Sequence, residues 1–422
     1  MLSLALAYLR DRALTTLLNV LLLGLAVATL TILLLFSTQL GNRLTRDAQG
    51  IDLVVGAKGS PLQLITSSIY HIDAPTGNIP LNSIDILRRD PAVARVVPLA
   101  IGDNFRGYRI VGTEHSYLDL YGAKLAQGKL FAQEGEAVLG ATAARKLRAG
   151  IGQRFIGSHG LGDDGRSAGH DERPFATVGI LVPTGTVVDR LILTSVESVW
   201  DVHGIGHEAH AVHDTPENFD ALDAPHDHEA EPIIGATETP EPEVTALLVT
   251  YRSALGAVRV PGFVNRQTNM QAAVPAQETA RLLSLFGAAI EGARVFAWLL
   301  AATGGLAIFV ALLNASRARE ADLSLLRVMG ATRASVFGTI LLEGWLTALA
   351  GALLGLIMGH VALSVARELF EPLAEIGLNP WMVHPGELVI MVGVQVIGLL
   401  AALMPAIRIF RVDLAHTLAR AQ

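Results

Sequence analysis

Six histidines and eleven acidic residues lie between His203 and Glu243, in a stretch that contains no lysine or arginine. Neutral imidazoles and carboxylates are ligands that suit zinc and similar divalent ions, and three or four of them make a site. Five prolines interrupt the stretch, so we expect a mobile loop, and the alternative is a solvated acidic loop that binds ions only weakly. The candidate metal ligands are His203, His207, His210, His213, His226 and His228.

Motifs for enzyme chemistry begin at several places in the chain, but none of them is complete. A zinc hydrolase needs H-E-x-x-H on a helix, and the segment His207–His210 is one residue short of it. A phosphate-binding loop needs G-x-x-x-x-G-K followed by Ser or Thr, whereas the segment Gly122–Leu130 has a different spacing and ends in leucine. We therefore expect no catalytic residues and no ATP site, so that energy must come from a separate subunit.

The composition excludes several kinds of site and partner. The 422-residue chain contains no cysteine, which excludes disulfides and thiolate metal sites. Hydrophobic residues make up 51% of it, enough for a membrane domain together with one or two folded soluble domains. The net charge of -7 comes from the middle of the chain, while basic residues flank the apolar stretches, and this argues against nucleic acid as a partner.

Four apolar stretches are long enough to span a membrane, which takes about 20 helical residues. The first of them, 13–42, carries no charge and is too long for the core of a cleavable signal, so we expect an uncleaved anchor. Arginines near the ends of the spans place both termini and the loop at 314–335 in the cytoplasm. The predicted boundaries are 1–42 for an amphipathic segment and the first span, 43–283 for an outer domain, 284–313 for the second span, 314–335 for the cytoplasmic loop, 336–366 for the third span, 367–387 for a short outer loop, 388–407 for the fourth span and 408–422 for a cytoplasmic tail.

The region 43–283 alternates between short stretches typical of strands and of helices. Strands are predicted at 51–55, 93–99, 108–111, 137–139, 175–181 and 190–194, with a last strand or two at 244–260, and helices at 83–89 and 142–147. The predicted fold class is therefore a membrane protein with four transmembrane helices and an α+β periplasmic domain inserted between the first and second helices.

The third span contains small residues at regular spacing and one carboxylate. Gly351, Gly355 and Gly359 form a ladder that lets another helix approach closely, the alternative being a merely flexible helix. Glu343 is the one charge in this apolar stretch, and a carboxylate at the bilayer centre costs about 2.5–3.5 kcal/mol. We expect Glu343 to lie near the cytoplasmic end and to form an ion pair with an arginine there, in a structural role.

The cytoplasmic loop combines basic residues with an apolar stripe at helical spacing. Gly330 is suited to end a helix, and Thr332 is suited to cap the next one. A short helix at the membrane surface would be available to contact a cytoplasmic partner, and the simpler alternative is a solvated basic loop.

The order of residues in this loop resembles the C-terminal permease segment of the FtsX-like (MacB-type) family of ABC transporters. The family pattern R-x-R-E, L-R, G-A-T and L-E-G is matched at 317–320, 326–327, 330–332 and 342–344. The segments GKLF at 128–131, EAVLG at 136–140 and FATVGIL at 175–181 resemble the periplasmic core domain of the same family, which lacks the insertion at 203–243. The resemblance implies a coupling helix that docks on an ATPase, with the coupling residues Arg317, Arg319, Glu320, Arg327, Gly330, Ala331, Thr332 and Arg333.

The resemblance also implies a function: the permease subunit of an ABC transporter, which couples ATP hydrolysis on a separate cytoplasmic ATPase to a conformational change of the periplasmic domain. The expected cargo is a peptide, a lipoprotein or a small molecule, which is exported or extracted. The expected partners are two ATPase copies that hold ATP and Mg, a second permease copy in a homo- or heterodimer, and a periplasmic binding or adaptor protein. The expected location is the bacterial inner membrane.

Two alternatives stay open at this stage. One is an ABC system linked to divalent metal, with zinc held by the His-rich loop. The other is a regulator that transports nothing and instead activates a periplasmic enzyme such as a cell-wall hydrolase.

Overall fold

The computed structural model describes residues 1–159, 174–203, 241–318, 329–370, 373 and 377–410. The chain divides into two compact units, one formed by Met1–Arg43 with Arg281–Gln422 and the other by Leu44–Ala280. We call the first the membrane unit and the second the sheet unit.

The helices and strands of the described residues range from two-residue strands to a helix of 44 residues. The helices are α1 (Leu2–Asp11), α2 (Ala13–Asp47), α3 (Pro61–Ser68), α4 (Ser83–Arg88), α5 (His115–Leu120), α6 (Ala141–Leu147), α7 (Val196–Val202), α8 (Ala254–Gln267), α9 (Pro275–Ala318), α10 (Arg333–Leu369) and α11 (Pro385–Phe410). The strands are β1 (Leu53–Ala57), β2 (Ile79–Pro80), β3 (Val93–Phe105), β4 (Tyr108–Thr113), β5 (Leu125–Gly128), β6 (Glu136–Leu139), β7 (Arg154–Phe155), β8 (Ser158–His159), β9 (Phe175–Leu181), β10 (Ile192–Ser195), β11 (Glu243–Val244), β12 (Ala246–Tyr251) and β13 (Met270–Ala273).

Four helices within the described residues, α2, α9, α10 and α11, are long and apolar enough to cross a membrane. This confirms the four predicted spans. The sequence also predicts a separate amphipathic helix at 277–294 before the second span, whereas the structure has one uninterrupted helix, α9, of 44 residues. The sequence predicts that Pro405, near the end of the fourth span, ends or kinks that helix, and in the structure α11 continues through Pro405 to Phe410.

Close approach of small residues holds the membrane unit together. A Cβ built on Gly351 would lie 2.9 Å from Leu23 Cβ, and one on Gly355 would lie 2.5 Å from the carbonyl oxygen of Gly24. A Cβ built on Gly359 would lie 3.0 Å from Thr31 Cβ. All three glycines of the ladder therefore lie against α2, and the rising numbers on both helices show that α2 and α10 run parallel.

The sheet unit is built on one large mixed sheet with the strand order β13-β1-β12-β3-β4-β10-β6-β9-β5. Strands β4 and β10 pair in parallel, as do β6 and β9, while the other neighbours in this order are antiparallel. Leu87 of α4, Val199 of α7 and Val264 of α8 pack with residues of β1, β3 and β12 in one hydrophobic cluster of this unit.

Helix α8 corrects one prediction. The sequence predicts strand structure up to residue 260, but residues 254–267 form a helix. Gly256, Val260 and Val264 recur every four residues and are the buried residues of this helix, so the apolar periodicity is helical. Gly256 lies so close to Tyr251 that an added Cβ would be 2.6 Å from the ring. Close packing at this position therefore requires glycine, and packing outweighs the poor helix propensity of glycine and valine.

Candidate functional site

The predicted coupling residues that the structure describes lie at the ends of α9 and α10. Arg317 is exposed in the last turn of α9, and Arg333 is exposed at the first residue of α10. Thr332 accepts a hydrogen bond from the Ser335 amide at 3.1 Å, which confirms it as the cap of α10. Gly330 has a φ of +104°, a conformation that favours glycine, and Ala331 follows it half-buried.

The remaining coupling residues, Arg319, Glu320 and Arg327, lie outside the described residues. The coupling role itself stays a prediction. What the structure establishes is that two membrane helices of the same unit begin and end at this segment, with their basic termini exposed.

Glu343 lies ten residues into α10 and is 5% exposed. The hydroxyl of Thr347 donates to the Glu343 main-chain oxygen at 2.8 Å, which keeps this threonine satisfied inside an apolar helix. The ion pair with an arginine remains a prediction.

Of the six histidines of the predicted metal site, the structure describes His203, and the other five lie outside the described residues. His203 follows α7, with Nδ1 2.7 Å from the Val199 carbonyl oxygen and Nε2 3.5 Å from the carboxylate of Asp103. The hydrogen bond with Asp103 raises the pKa of His203. Among the described residues no group of His, Asp or Glu is arranged to hold a metal ion, and the zinc site stays a prediction.

A hydrogen-bonded cluster that the sequence analysis does not predict lies in the sheet unit, at residues that directly follow the first span and precede the second. The hydroxyl of Tyr70 donates to the Leu44 carbonyl oxygen at 3.3 Å and is 2.6 Å from Oγ1 of Thr279. The hydroxyl of Tyr121 donates to the Asp47 carbonyl oxygen at 3.0 Å. We call this cluster of Leu44, Asp47, Tyr70, Tyr121 and Thr279 the joint.

The turn at 184–190 extends the joint. The Val187 amide donates to the Asp47 carboxylate at 2.8 Å, and the Arg46 guanidinium donates to the Gly185 carbonyl oxygen at 3.3 Å. The carboxylate of Asp189 accepts from the amides of Thr184 and Gly185, both at 2.8 Å, and so fixes the shape of the turn. The last turn of α2 is therefore bound on several sides by the sheet unit.

Burial keeps the aromatic groups of the joint neutral. Burial raises the pKa of Tyr70, and it raises the pKa of Tyr121 well above its usual value, so both phenols remain hydrogen-bond donors. Burial, reinforced by Arg109 and Arg190, lowers the pKa of the adjacent His71 to about 3, so this imidazole is neutral at physiological pH. Fixed neutral donors in a buried site give hydrogen bonds whose strength does not change with pH in the physiological range.

Comparison with known families places both units. The model of the MacB-like periplasmic core domain matches residues 16–213, and the model of the FtsX-like permease C-terminal domain matches residues 294–414. The two matches cover most of α2, most of the sheet unit, and the segment from the second half of α9 through α11 that contains the predicted coupling residues.

Solved structures similar to this chain include three regions or domains of other proteins. The periplasmic region of MacB from Actinobacillus actinomycetemcomitans is 12% identical over 56% of this chain and 95% of its own, with a TM-score of 0.33. The extracellular domain of the noncanonic ABC-type transporter YknZ from Gram-positive bacteria is 14% identical over 53% and 98%, with a TM-score of 0.29. A domain of a putative permease protein from Porphyromonas gingivalis is 12% identical over 54% and 88%, with a TM-score of 0.25.

No curated protein matches the chain. TM-scores below 0.5 leave the two family models as the basis of the assignment. One family model matches the N-terminal part of the chain, the other matches the C-terminal part, and four membrane-length helices occur in the expected order. The chain therefore belongs to the FtsX/MacB-type permeases, which are membrane components of ABC transport systems.

Proposed function

We propose that this permease transmits force: ATP hydrolysis on separate cytoplasmic ATPases moves the coupling segment, and the membrane helices carry that movement to the sheet unit. Members of the family work with cytoplasmic ABC ATPases, which supplies the source of energy. The large sheet unit would lie outside the inner membrane and both termini inside the cell. A peptide, a lipoprotein or a small molecule would be exported or extracted by the moving sheet unit.

Helix α9 supports this proposal because it reaches from one end of the path to the other. It begins at Pro275, close to the joint residue Thr279, and ends at Ala318, beside the coupling segment. A helix of 44 residues is about 66 Å long, roughly twice the hydrocarbon thickness of a bilayer. A displacement at Ala318 therefore has a continuous hydrogen-bonded route to residue 275.

The observation that carries the proposal is the position of Tyr70. One hydroxyl group bonds both to Leu44, at the end of α2, and to Thr279, at the start of α9. Tyr70 follows α3, which packs beside the end strand β13 of the sheet and its neighbour β1. Movement of either helix end is thus passed to the sheet through hydrogen bonds of a side chain that is only 2% exposed.

The test is the substitution Tyr70→Phe in the permease reconstituted with its ATPase. Because the chain has no native cysteine, spin labels can be attached through Val258→Cys in the sheet unit and Leu369→Cys in the membrane unit, at side chains that are 81% and 73% exposed. We expect ATP to change the distance between the two labels in the wild type, and we expect this change to be lost in Tyr70→Phe while ATP hydrolysis continues.

Tyr251→Phe is the matched control. The Tyr251 hydroxyl is buried in the same unit and has no hydrogen-bond partner among the described residues, so its removal deletes no contact of the joint. We expect the label distance in Tyr251→Phe to respond to ATP as it does in the wild type. A normal response in Tyr70→Phe, or no response in the wild type, would contradict force transmission through the joint.

A second test addresses the coupling segment. Gly330→Ala places a side chain at φ +104°, which strains the turn before α10, although nothing lies within 4 Å of the added Cβ. We expect this variant to weaken stimulation of the ATPase by the permease. Gly292→Ala in α9, where the added Cβ also meets nothing within 4 Å, should leave stimulation unchanged. Equal stimulation in both variants would count against a role for this turn.

A further inference from the structure

Two titratable side chains meet in the membrane unit, toward the end of α10 that lies farthest from the coupling segment. Nε2 of His360, on α10, is 3.5 Å from Oε2 of Glu387, in the first turn of α11. The two side chains are 11% and 8% exposed. Because both groups are withdrawn from water, each depends on neighbouring polar atoms for its hydrogen bonds.

The other polar atoms of the two side chains already have partners. Nδ1 of His360 is 2.6 Å from the carbonyl oxygen of Pro380. A carbonyl oxygen can only accept, so Nδ1 carries a hydrogen and donates it. Oε1 of Glu387 accepts from the His384 amide at 3.0 Å. The atoms left facing each other are Nε2 and Oε2.

One hydrogen is needed between Nε2 and Oε2. With its hydrogen on Nδ1, a neutral His360 presents a lone pair at Nε2, and an ionised Glu387 presents another at Oε2. Two buried lone pairs that face each other repel and form no hydrogen bond. Imidazole is the stronger base of the two groups, so a proton taken up from solution lies on Nε2 and makes the pair an imidazolium and a carboxylate.

We propose that His360 and Glu387 form a proton-binding site that joins α10 to α11. The bound proton makes the contact between Nε2 and Oε2 an ion pair, while Nδ1 joins the same ring to Pro380. Loss of the proton leaves the two lone pairs opposed and weakens the contact. Histidine changes its charge near neutral pH, so the contact responds to the acidity of the solution at this end of the unit.

A proton suits this pair better than a metal ion does. Among the described residues no third His, Asp or Glu completes a metal site with His360 and Glu387. Two ligands alone do not make such a site, since three or four are needed.

Other charged groups in this half of the membrane unit do not supply the hydrogen. On the described elements they include His384 before α11, Arg43 of α2, Arg281, Glu291 and Arg294 of α9, and Arg367 and Glu368 of α10. His384 accepts at Nδ1 from the Gly386 amide at 3.0 Å, and Glu291 pairs with Arg294 at 2.8 Å. Nη1 of Arg43 lies beside Gly377, and the remaining three side chains are exposed. The hydrogen between Nε2 and Oε2 therefore comes from solution.

Trp381 provides a reporter for the charge of His360. Its indole lies nearly parallel to the imidazole, with an interplanar angle of 7° and ring centroids 5.9 Å apart. A positive charge on the imidazole acts on the face of the indole, as in other cation–π contacts. The electronic environment of Trp381 therefore changes when His360 gains or loses its proton.

The experiment is fluorine NMR of the full chain, labelled with fluorotryptophan and purified in detergent without an ATPase. The resonance of Trp381 is the one that is missing from Trp381→Phe. We expect it to shift with pH along a one-proton curve in the wild type, between about pH 5 and about pH 9.

Two substitutions separate the roles of the pair. His360→Gln removes the titrating ring but keeps an amide that can donate to Pro380, and it should abolish the shift. Glu387→Gln removes the carboxylate that favours the imidazolium, so about tenfold more acid should be needed to reach the same shift. The matched controls are His384→Gln, which changes the neighbouring histidine, and Glu368→Gln, which changes an exposed carboxylate of α10; both should leave the curve unchanged.

A stability measurement follows the contact itself. Because the folded chain holds the proton, the unfolding midpoint of the membrane unit, followed by the Trp381 resonance, should fall as the pH rises through the curve. This fall should be smaller in Glu387→Gln, which has no ion pair to lose.

A Trp381 resonance that does not move with pH in the wild type would overturn the proposal, as would an unchanged curve in Glu387→Gln. Loss of the shift in His384→Gln would also overturn it, because the titrating group would then be His384. Every measurement is made without ATP, so failure here leaves the proposed force transmission through the joint unaffected.

Discussion

The membrane unit and the sheet unit use opposite means to hold their helices. In the membrane unit, α10 lies against α2 because side chains are missing, and the backbone oxygen of Gly24 would be 2.5 Å from a Cβ added to Gly355. In the sheet unit, the end of α2 is held by side chains that reach it from distant parts of the chain, among them Tyr70 and Tyr121. The first contact depends on steric fit, and the second depends on satisfied polar groups.

Because of this difference, each unit is destabilised by a different kind of substitution. A contact made by close packing is disrupted by an added methyl group, because interiors tolerate little extra volume. A contact made by buried hydrogen bonds is disrupted by removing one partner, because the other partner then stays buried without a bond.

The two units can be followed separately by fluorescence. Trp200 is the single tryptophan of the sheet unit, and Trp298, Trp345 and Trp381 belong to the membrane unit. A chain that keeps only Trp200 reports on the sheet unit, and a chain with Trp200→Phe reports on the membrane unit.

The largest effect is expected from Gly355→Ala. The added methyl group meets Gly24 and Val27 at 2.5 Å, and such overpacking costs about 2–3 kcal/mol. We expect the unfolding midpoint of the membrane unit to fall while that of the sheet unit stays in place, as measured with the two tryptophan reporters. Gly292→Ala in α9, with open space around it, is the control and should be neutral or stabilising. If both variants behaved alike, α2 and α10 would not be held by close packing.

The next effect is expected from Asp47→Ala. Its carboxylate accepts from the Val187 amide, which is buried, and loss of this acceptor costs about 1–2 kcal/mol. We expect the Trp200 transition to move to lower denaturant concentration. Asp119→Ala, which removes an exposed aspartate of α5, should leave this transition unchanged. A shift confined to the membrane unit would break the proposed distinction between the units.

A smaller effect is expected from pH, through two histidines of the sheet unit with opposite signs. The pKa of His71 is lowered to about 3, so the unfolded chain takes up a proton first, and stability falls as the pH drops from about 6.5 toward 3. The slope is at most about 1.4 kcal/mol per pH unit. We expect His71→Gln to flatten the acid-side loss of stability in urea unfolding of the Trp200 reporter.

His203 provides the opposing case. Its raised pKa means that the folded chain binds the proton more tightly, so its contribution is full below about pH 6.5 and is lost as the pH rises through the folded-state pKa. His203→Gln should therefore remove a gain of stability on acidification that lies between the folded-state pKa of His203 and about pH 6.5, above the range in which His71→Gln acts. If both variants shifted the curve in one direction, these two assignments would be wrong.

The smallest effect on either unit is expected from zinc. Deletion of 204–240 removes five of the predicted ligands, and we expect it to abolish zinc binding in calorimetry of the full chain. Neither tryptophan transition should move by much, since a segment with this low apolar content and single sign of charge is expected to contribute little to folding. Unchanged zinc affinity after the deletion would remove the metal hypothesis.

The membrane unit was largely predictable from the sequence because its determinants are local and periodic. Long apolar stretches with few charged residues predict the four spans. The spacing of four residues between Gly351, Gly355 and Gly359 predicts a packing face, and these glycines lie against α2. Thr332 is recognisable as a cap because capping depends on residues only three positions apart.

The joint was not predictable, since its partners are separated by up to 209 positions, as Tyr70 and Thr279 are. Neither tyrosine belongs to a periodic pattern, and nothing in the local sequence identifies its hydrogen-bond partner. The joint could have been sought among polar residues that lie next to a membrane span, such as Asp47, which follows the first span, and Thr279, which precedes the second. The prediction of strand for residues 254–260 is wrong, and the helical spacing of Gly256, Val260 and Val264 is the signal that identifies α8.

The ladder on α10 has one consequence for movement. Its glycines recur at intervals of four residues, so sliding α10 along α2 by about 6 Å would bring Gly351 to the place of Gly355, and Gly355 to that of Gly359. Two of the three tight contacts would be re-formed with the same small residue. The same slide would bring Thr347 to the place of Gly351, where a Cβ lies 2.9 Å from Leu23 Cβ, so the ladder admits the second register only if Leu23 moves aside.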